Sequence, residues 1–77
     1  MAHKSALAFG QIVRARRLEA GLSQEALADQ AGLHRTFISM IERGARNPSL
    51  EVIRKLARAL HTTAASLVDE AERKDPS

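Results

Sequence analysis

The side chains with the most specific chemistry lie within a short polar and cationic segment near the middle of the chain. Its arginines supply guanidinium groups, which donate paired hydrogen bonds to a phosphate or to the edge of a base. Its hydroxyl side chains offer single hydrogen bonds. The residues concerned are Arg35, Thr36, Ser39, Arg43 and Arg46. This combination is typical of a binding surface and not of a catalytic centre.

Catalytic and metal-binding patterns are missing from the rest of the sequence. The chain has no cysteine, and His3, His34 and His61 do not have the spacing of metal ligands. Asp69 and Glu70 form a carboxylate pair, but they are close to a chain end that we expect to fray. The sequence contains no nucleophile elbow and no phosphate-binding glycine loop. We therefore expect a protein that is not an enzyme and that needs no metal or other cofactor.

Length, composition and charge favour one small helical domain. The 77 residues leave room for one domain over residues 1–77, with a core at about residues 6–72. Hydrophobic residues make up 44% of the chain and aromatic residues only 3%, which favours helices over a sheet. The net charge of +3 is compatible with a nucleic-acid partner. Residues 69–75 are net acidic, whereas residues 34–46 carry three arginines and one glutamate, so the positive charge is concentrated in this middle segment. No apolar run is long enough to span a bilayer, and the N-terminus lacks the apolar stretch of a signal peptide, so we expect a cytoplasmic protein.

Capping and breaking residues divide the chain into five predicted helices. The first ends at Gly21, and the second begins after Ser23, which is a favourable N-cap. The third begins near His34, Ser49 caps the fourth, and the fifth covers residues 64–72. Helical spacing predicts that these apolar residues face inward: Phe9, Val13, Ala20, Leu27, Ala28, Ala31, Phe37, Ile38, Ile41, Leu50, Ile53, Leu56, Ala57 and Leu60.

The second and third predicted helices have the residue types of a helix-turn-helix. Ala28 is small where the two helices are expected to approach each other, and Gly32 can adopt a positive φ in the turn without steric cost. Leu33, Ile38 and Ile41 are the apolar residues that fill the angle between the helices. Because one helix precedes this pair and two follow it, the sequence predicts an all-α, five-helix bundle with a central helix-turn-helix.

The chain resembles the phage repressor and Cro family of helix-turn-helix proteins, also called the XRE family, from about Phe9 to Leu67. The residues that carry the resemblance are Gly21-Leu22-Ser23-Gln24-Glu25, Leu27-Ala28, Ala31-Gly32-Leu33, Ile38-Ser39, Ile41-Glu42-Arg43-Gly44 and Arg46-Asn47-Pro48-Ser49. Within the family, the run Arg35-Thr36-Phe37-Ile38-Ser39 followed by Ile41-Glu42-Arg43 is most similar to the controller proteins of restriction-modification systems. The resemblance implies a lambda repressor-like fold and a sequence-specific, DNA-binding transcriptional regulator.

The predicted base contacts are on the third helix, which in such a fold enters the major groove with its N-terminal residues facing base edges. Arg35 is the leading candidate, because a guanidinium donates two hydrogen bonds to guanine O6 and N7. Thr36 and Ser39 are shorter and suit single hydrogen bonds, and Thr36 also suits a thymine methyl group. The alternative for all three is an ordinary solvent-exposed position. Met40 stays open between packing and contact with the groove, and so does Phe37, for which helical spacing favours packing.

The predicted phosphate contacts surround that helix, and they supply affinity without sequence information. They are Gln24, His34, Arg43 and Arg46. Gln24 resembles the residue with which this family clamps the DNA backbone, at a helix N-terminus where free N–H groups attract an anion. His34 has a second interpretation as a helix cap, and the two arginines have one as solvated surface charges.

The family resemblance also implies an ion pair between Arg17 and Glu42, buried or half-buried, that joins the first and third helices. This pair would be structural, since removing either partner would strand the other charge. By contrast, Arg14 and Arg16 are expected to be solvated, although Arg14 could approach a phosphate.

The last predicted helix presents an apolar face that either closes the core or forms a dimer interface. Its residues are Ala64, Leu67, Val68 and Ala71, of which Leu67 fits the core better by its family position. A chain this short buries a modest fraction of its surface and has no disulfides, so dimerisation is the expected reinforcement. A twofold dimer would read a pseudo-palindromic operator.

The implied partners are double-stranded DNA and a second copy of the chain, with RNA polymerase as a further candidate. The competing interpretation is an antitoxin or a phage-type repressor whose last two helices bind another protein. A protein-binding third helix would expose apolar residues, whereas this one is polar and cationic.

Overall fold

The computed structural model of the protein describes residues 4–74, which form five helices connected by short turns and loops. The helices are α1 (Lys4–Glu19), α2 (Gln24–Ala31), α3 (Arg35–Glu42), α4 (Leu50–Ala59) and α5 (Ala64–Lys74). There is no strand within residues 4–74, so the predicted all-α, five-helix bundle is confirmed. His3 and the predicted domain limits at residues 1 and 77 lie outside the described range. None of the helices in that range is both long and apolar enough to cross a membrane.

Serine side chains begin two of the helices, as the sequence predicts. Ser23 Oγ accepts a hydrogen bond of 3.0 Å from the N–H of Ala26, and Ser49 Oγ accepts one of 3.2 Å from the N–H of Val52. Each bond satisfies a backbone donor that the first turn of a helix leaves without a partner. His34 occupies the N-cap position of α3, but its side chain makes no capping hydrogen bond. The interpretation of His34 as a side-chain cap is therefore wrong.

The turn between α2 and α3 has the predicted geometry. Gly32 adopts φ 70° and ψ 35°, a left-handed conformation that glycine reaches without steric cost. The N–H of Leu33 donates to the carbonyl oxygen of Ala28 over 2.9 Å, which closes the end of α2. Ala28 itself is only 2% exposed, as expected for a small residue at the approach of two helices. The central helix-turn-helix is confirmed.

The core draws on all five helices and surrounds the helix-turn-helix. Its fully buried large side chains are Val13, Leu27, Ile38, Ile41, Leu56 and Leu67. Two residues predicted to face inward do not. Ala20 lies one residue beyond the end of α1, and its side chain is exposed. Leu50 is the first residue of α4, at the surface end of that helix, and it is 62% exposed.

Half of the apolar face predicted as a dimer patch belongs to the core. Leu67 and Ala71 are buried within the chain, because α5 packs against α1 and α4. Their assignment to a dimer interface is therefore wrong, and the alternative in which this face closes the core applies to them. Val68 is 37% exposed and Ala64 is half-buried, so these two residues remain at the surface.

An ion pair that the sequence did not predict joins α1 to α5. Arg16 Nε donates to Glu70 Oε1 over 3.2 Å, a second bond joins the same two side chains, and Ser66 Oγ donates to Glu70 Oε2 over 3.3 Å. The hydrogen bonds from Arg16 lower the pKa of the Glu70 carboxyl below its ordinary value, because they stabilise the ionised form. Arg16, which we expected to be solvated, therefore helps to attach α5 to α1.

Candidate nucleic-acid interface

The outward face of α3 carries three side chains at helical spacing. Thr36 and Met40 are four residues apart in α3, and Arg43, the C-cap residue, follows three residues later with a right-handed helical backbone. This spacing places the three on one side of a helix with 3.6 residues per turn. Ile38 and Ile41, on the opposite side, are completely buried. Thr36 and Arg43 are exposed and Met40 is partly exposed. The face that α3 turns away from the core thus combines a hydroxyl, a thioether and a guanidinium group.

Arg35 and Ser39 lie beside this face, one turn apart on the same helix. Arg35 is exposed at the N-terminal end of α3, and Ser39 is partly buried. The carbonyl oxygen of Ser39 accepts a 3.3 Å hydrogen bond from Arg43 Nε. Because this bond uses only Nε, the two terminal amino groups of Arg43 keep their donors for another ligand. The structure thus places the predicted base contacts near the start and middle of α3, and a predicted phosphate contact at its end.

The loop after α3 brings Arg46 against the side of that helix. The guanidinium carbon of Arg46 lies 5.5 Å from the centroid of the Phe37 ring, within the range of a cation–π interaction. Phe37 is partly buried and packs against the hydrophobic core, while Arg46 is exposed. The sequence left Phe37 open between packing and groove contact, and the structure shows that it packs.

Arg17, Glu42 and Gln24 form a buried hydrogen-bond network beneath the motif. Arg17 donates from Nε to Glu42 Oε2 over 2.7 Å and from Nη2 to Glu42 Oε1 over 3.0 Å, and its Nη1 donates to the carbonyl of Leu22 over 2.9 Å. The side chains of Arg17 and Glu42 are only 10% and 3% exposed. The hydrogen bonds from Arg17 to Glu42 raise the pKa of the guanidinium group above its already high ordinary value. The ion pair that the family resemblance implied is present in the structure and joins α1 to the end of α3.

Gln24 is held by the same carboxylate. Its Nε2 donates to Glu42 Oε1 over 3.1 Å, and it is the first residue of α2. The side-chain amide has a second N–H, and the backbone N–H of a first helical residue has no partner within the helix. Gln24 therefore retains donors for a phosphate at this helix N-terminus while its side chain is fixed from below.

The network has an electrostatic consequence for the surface around α3. Glu42 is the only acidic residue from position 35 to position 49, and its carboxylate is paired with Arg17 in the interior. The exposed charges of the segment are therefore all positive, namely those of Arg35, Arg43 and Arg46. Among residues 4–74, no group of three His, Cys, Asp or Glu side chains is placed to hold a metal ion. The surface is suited to an anion with hydrogen-bonding edges, which are the features of a DNA groove.

Two features of this site were not predicted from the sequence. Met40 was left undecided, although its spacing of four residues from Thr36 was enough to place both on one face. The bond from Gln24 to Glu42 joins residues 18 positions apart, and no local pattern signals it.

The predicted phosphate contact His34 is exposed at the N-terminus of α3, so it remains accessible to a phosphate.

Comparison with known proteins agrees with this geometry. The model of the helix-turn-helix family matches residues 13–67. Control protein C.BamHI of Bacillus amyloliquefaciens is 49% identical over 70 residues, which are 90% of this chain and 86% of that protein. The crystal structure of the restriction-modification controller protein C.AhdI from Aeromonas hydrophila has a TM-score of 0.82 and 45% identity, covering 84% of this chain and 98% of that one. The structure of SinR, a master regulator for biofilm formation, in complex with DNA has a TM-score of 0.76 and 34% identity, covering 79% of this chain and 98% of that one.

The fold, the cationic surface of α3 and the sequence comparisons together identify the family to which the protein belongs. The chain belongs to the helix-turn-helix family of DNA-binding transcription regulators. Within that family it is similar to the controller proteins of restriction-modification systems, whose members match it over most of both chains.

Proposed function

We propose that this protein controls the expression of a restriction-modification system by binding a pseudo-palindromic operator as a homodimer. The observation that carries the DNA-binding part is the outward surface of α3, where all exposed charges are positive while the one carboxylate is paired inside. The similarity to two controller proteins over most of the chain supports the regulatory role. In this proposal α3 lies in the major groove.

The proposal assigns each polar residue of the surface a role. Arg35, Thr36 and Ser39 contact base edges, and the exposed Thr36 and Arg35 do so from the first turn of α3. The residues that contact phosphates are Gln24, His34, Arg43 and Arg46. The helix N-terminus of α2 supports the assignment of Gln24, because its free N–H groups and dipole attract an anion.

Arg35 and Arg46 are expected to differ in what their removal does to binding. Arg35→Ala should reduce the preference for the operator over a random duplex by about 1–3 kcal/mol, because a bidentate base contact is lost. Arg46→Ala should weaken binding to both duplexes equally and lower the slope of log K against log salt by about 0.9. Titration of a labelled operator and a scrambled duplex at several salt concentrations measures both quantities.

Thermal unfolding serves as the control. Arg35 is exposed and forms no ion pair with the described residues, so Arg35→Ala should leave the unfolding temperature unchanged. Arg46→Ala loses only the stacking on Phe37 and should lower the free energy of unfolding by no more than about 1 kcal/mol. An equal loss on specific and scrambled duplexes for Arg35→Ala would contradict its assignment as a base contact. A loss of discrimination for Arg46→Ala would contradict its assignment to phosphate.

The dimer in this proposal uses the last two helices. Val68 on α5 is 37% exposed and Leu50 on α4 is 62% exposed, and Ala64 is half-buried on α5. An apolar residue at a surface gains free energy when a second copy covers it. We call α3, the helix that lies in the major groove, the recognition helix. The recognition helices of two copies related by a twofold axis would then lie about 34–36 Å apart, which is one turn of DNA.

Val68→Asp is expected to raise the dissociation constant of this dimer tenfold or more, because it places a charge in an apolar interface. A tenfold change corresponds to roughly 1.4 kcal/mol. Sedimentation equilibrium at micromolar concentration measures the change. Arg73→Gln, an exposed change on another side of the same helix, is the matched control. Selection of bound duplexes from a random pool should return half-sites about 10–10.5 base pairs apart. A wild-type protein that remains monomeric, or a selected site without twofold symmetry, would contradict the homodimer.

A further inference from the structure

The contact between Phe37 and Arg46 is the least expected feature of the cationic surface. Arg46 lies in the loop between α3 and α4, where no regular structure fixes its side chain. It forms neither an ion pair nor a side-chain hydrogen bond with the described residues. The Phe37 ring, 5.5 Å from the guanidinium carbon, is therefore the specific partner that the structure gives it.

Phe37 is itself anchored. It lies one residue before Ile38, which is completely buried, and its ring packs against the hydrophobic core at the flank of α3. An aromatic ring held in this way presents its negative face at a fixed place relative to the recognition helix. The guanidinium that stacks on it acquires a fixed place too.

We propose that Phe37 is a positioning residue that orders Arg46 before DNA arrives, so that the loop cation and α3 meet the duplex as one rigid surface. The inference rests on the proposed function, because it deepens the role of Arg46 as a phosphate contact. A long, flexible side chain loses rotamer freedom when it binds, and a side chain ordered in advance loses less. Phe37 therefore contributes to affinity through Arg46 and not through a contact of its own with DNA.

The first test needs no DNA. Relaxation of the arginine Nε–H groups, measured by NMR on the free protein, should give Arg46 a higher order parameter than Arg35, which is exposed and forms no ion pair or hydrogen bond with the described residues. Phe37→Leu keeps an apolar side chain in the core but removes the ring, and it should lower the order parameter of Arg46 to that of Arg35. Phe37→Tyr keeps the ring and should leave Arg46 as ordered as in the wild type.

The second test is a double-mutant cycle with Phe37→Leu and Arg46→Ala, measured on the selected operator and on a scrambled duplex. Phe37→Leu should weaken binding about two- to fivefold on both duplexes, the range that a surface cation–π interaction allows. In the Arg46→Ala background the same change should have no further effect, because the residue through which Phe37 acts is gone. Phe37→Tyr should bind as the wild type does.

The outcomes separate this inference from the proposed function. If the wild type binds no duplex, the proposed function fails, whatever the free-protein NMR shows. If the wild type binds but Phe37→Leu costs the same affinity with and without Arg46, Phe37 acts by contacting DNA or by holding the fold, and the inference is overturned. It is equally overturned if Arg46 is no more ordered than Arg35 in the free wild-type protein.

Discussion

Glu42→Ala is expected to lower the free energy of unfolding by about 3–5 kcal/mol, a large part of the stability of a small domain. The substitution leaves the guanidinium of Arg17 in the interior with the carbonyl of Leu22 as its remaining partner. Gln24 loses its acceptor as well. A buried charge without its counter-charge is among the few causes of so large an effect. Urea unfolding followed by helical circular dichroism measures the loss.

The control for this prediction removes both charges. Arg17→Met combined with Glu42→Leu replaces the pair by apolar side chains, and it should lie closer to the wild type than Glu42→Ala does. If the double variant is as unstable as the single one, the stranded charge is not the cause. Most of the DNA binding that Glu42→Ala loses should return under stabilising conditions, because it reflects unfolding. The part that does not return reflects Gln24, whose side chain Glu42 holds in place.

The sequence predicted the helices and their beginnings because these depend on local chemistry. Ser23 and Ser49 each accept a hydrogen bond from the third residue ahead, so the information lies within four positions. The turn at Gly32 is equally local, because a left-handed conformation at that point favours one residue type. The family resemblance extended this reach to Arg17 and Glu42, which are 25 positions apart.

The sequence could not predict which helix or side chain packs against each helix face. Helical spacing placed Leu67 and Val68 on the same apolar face. The family position favoured Leu67 for the core, but the exposure of Val68 follows from the way α5 packs against α1 and α4. Arg16 and Glu70, 54 positions apart, are likewise joined by that packing. The stacking of Arg46 on Phe37 depends on the path of a loop, which no periodicity describes. Local chemistry thus fixes elements, and long-range packing assigns the roles of individual side chains.

Gly10→Ala is expected to destabilise the protein by about 3 kcal/mol, although it replaces glycine by the best helix former within a helix. A Cβ atom at this position would clash with the backbone carbonyl oxygen of Ile41 and would lie 2.9 Å from that of Glu42. Neither oxygen belongs to a flexible side chain, so α1 and α3 must move apart to make room. The sequence offers no local sign of this role, because a glycine inside a helical pattern otherwise only weakens it.

Gly21→Ala is the matched control, because Gly21 has a backbone conformation that strains alanine and free space for a Cβ atom, whereas Gly10 has a helical backbone and no space. Gly21 has φ 72°, where alanine is strained by about 1–2 kcal/mol, but nothing lies within 4 Å of the added Cβ. Chemical denaturation of both variants separates a steric effect from a conformational one. On helix propensity alone Gly10→Ala would gain about 1 kcal/mol, so even a neutral result would contradict the close approach of α1 to α3. The close approach of α1 to α3 also sets the distance between Arg17, two turns after Gly10 on α1, and Glu42. Moving the two helices apart should therefore also weaken that ion pair and displace α3.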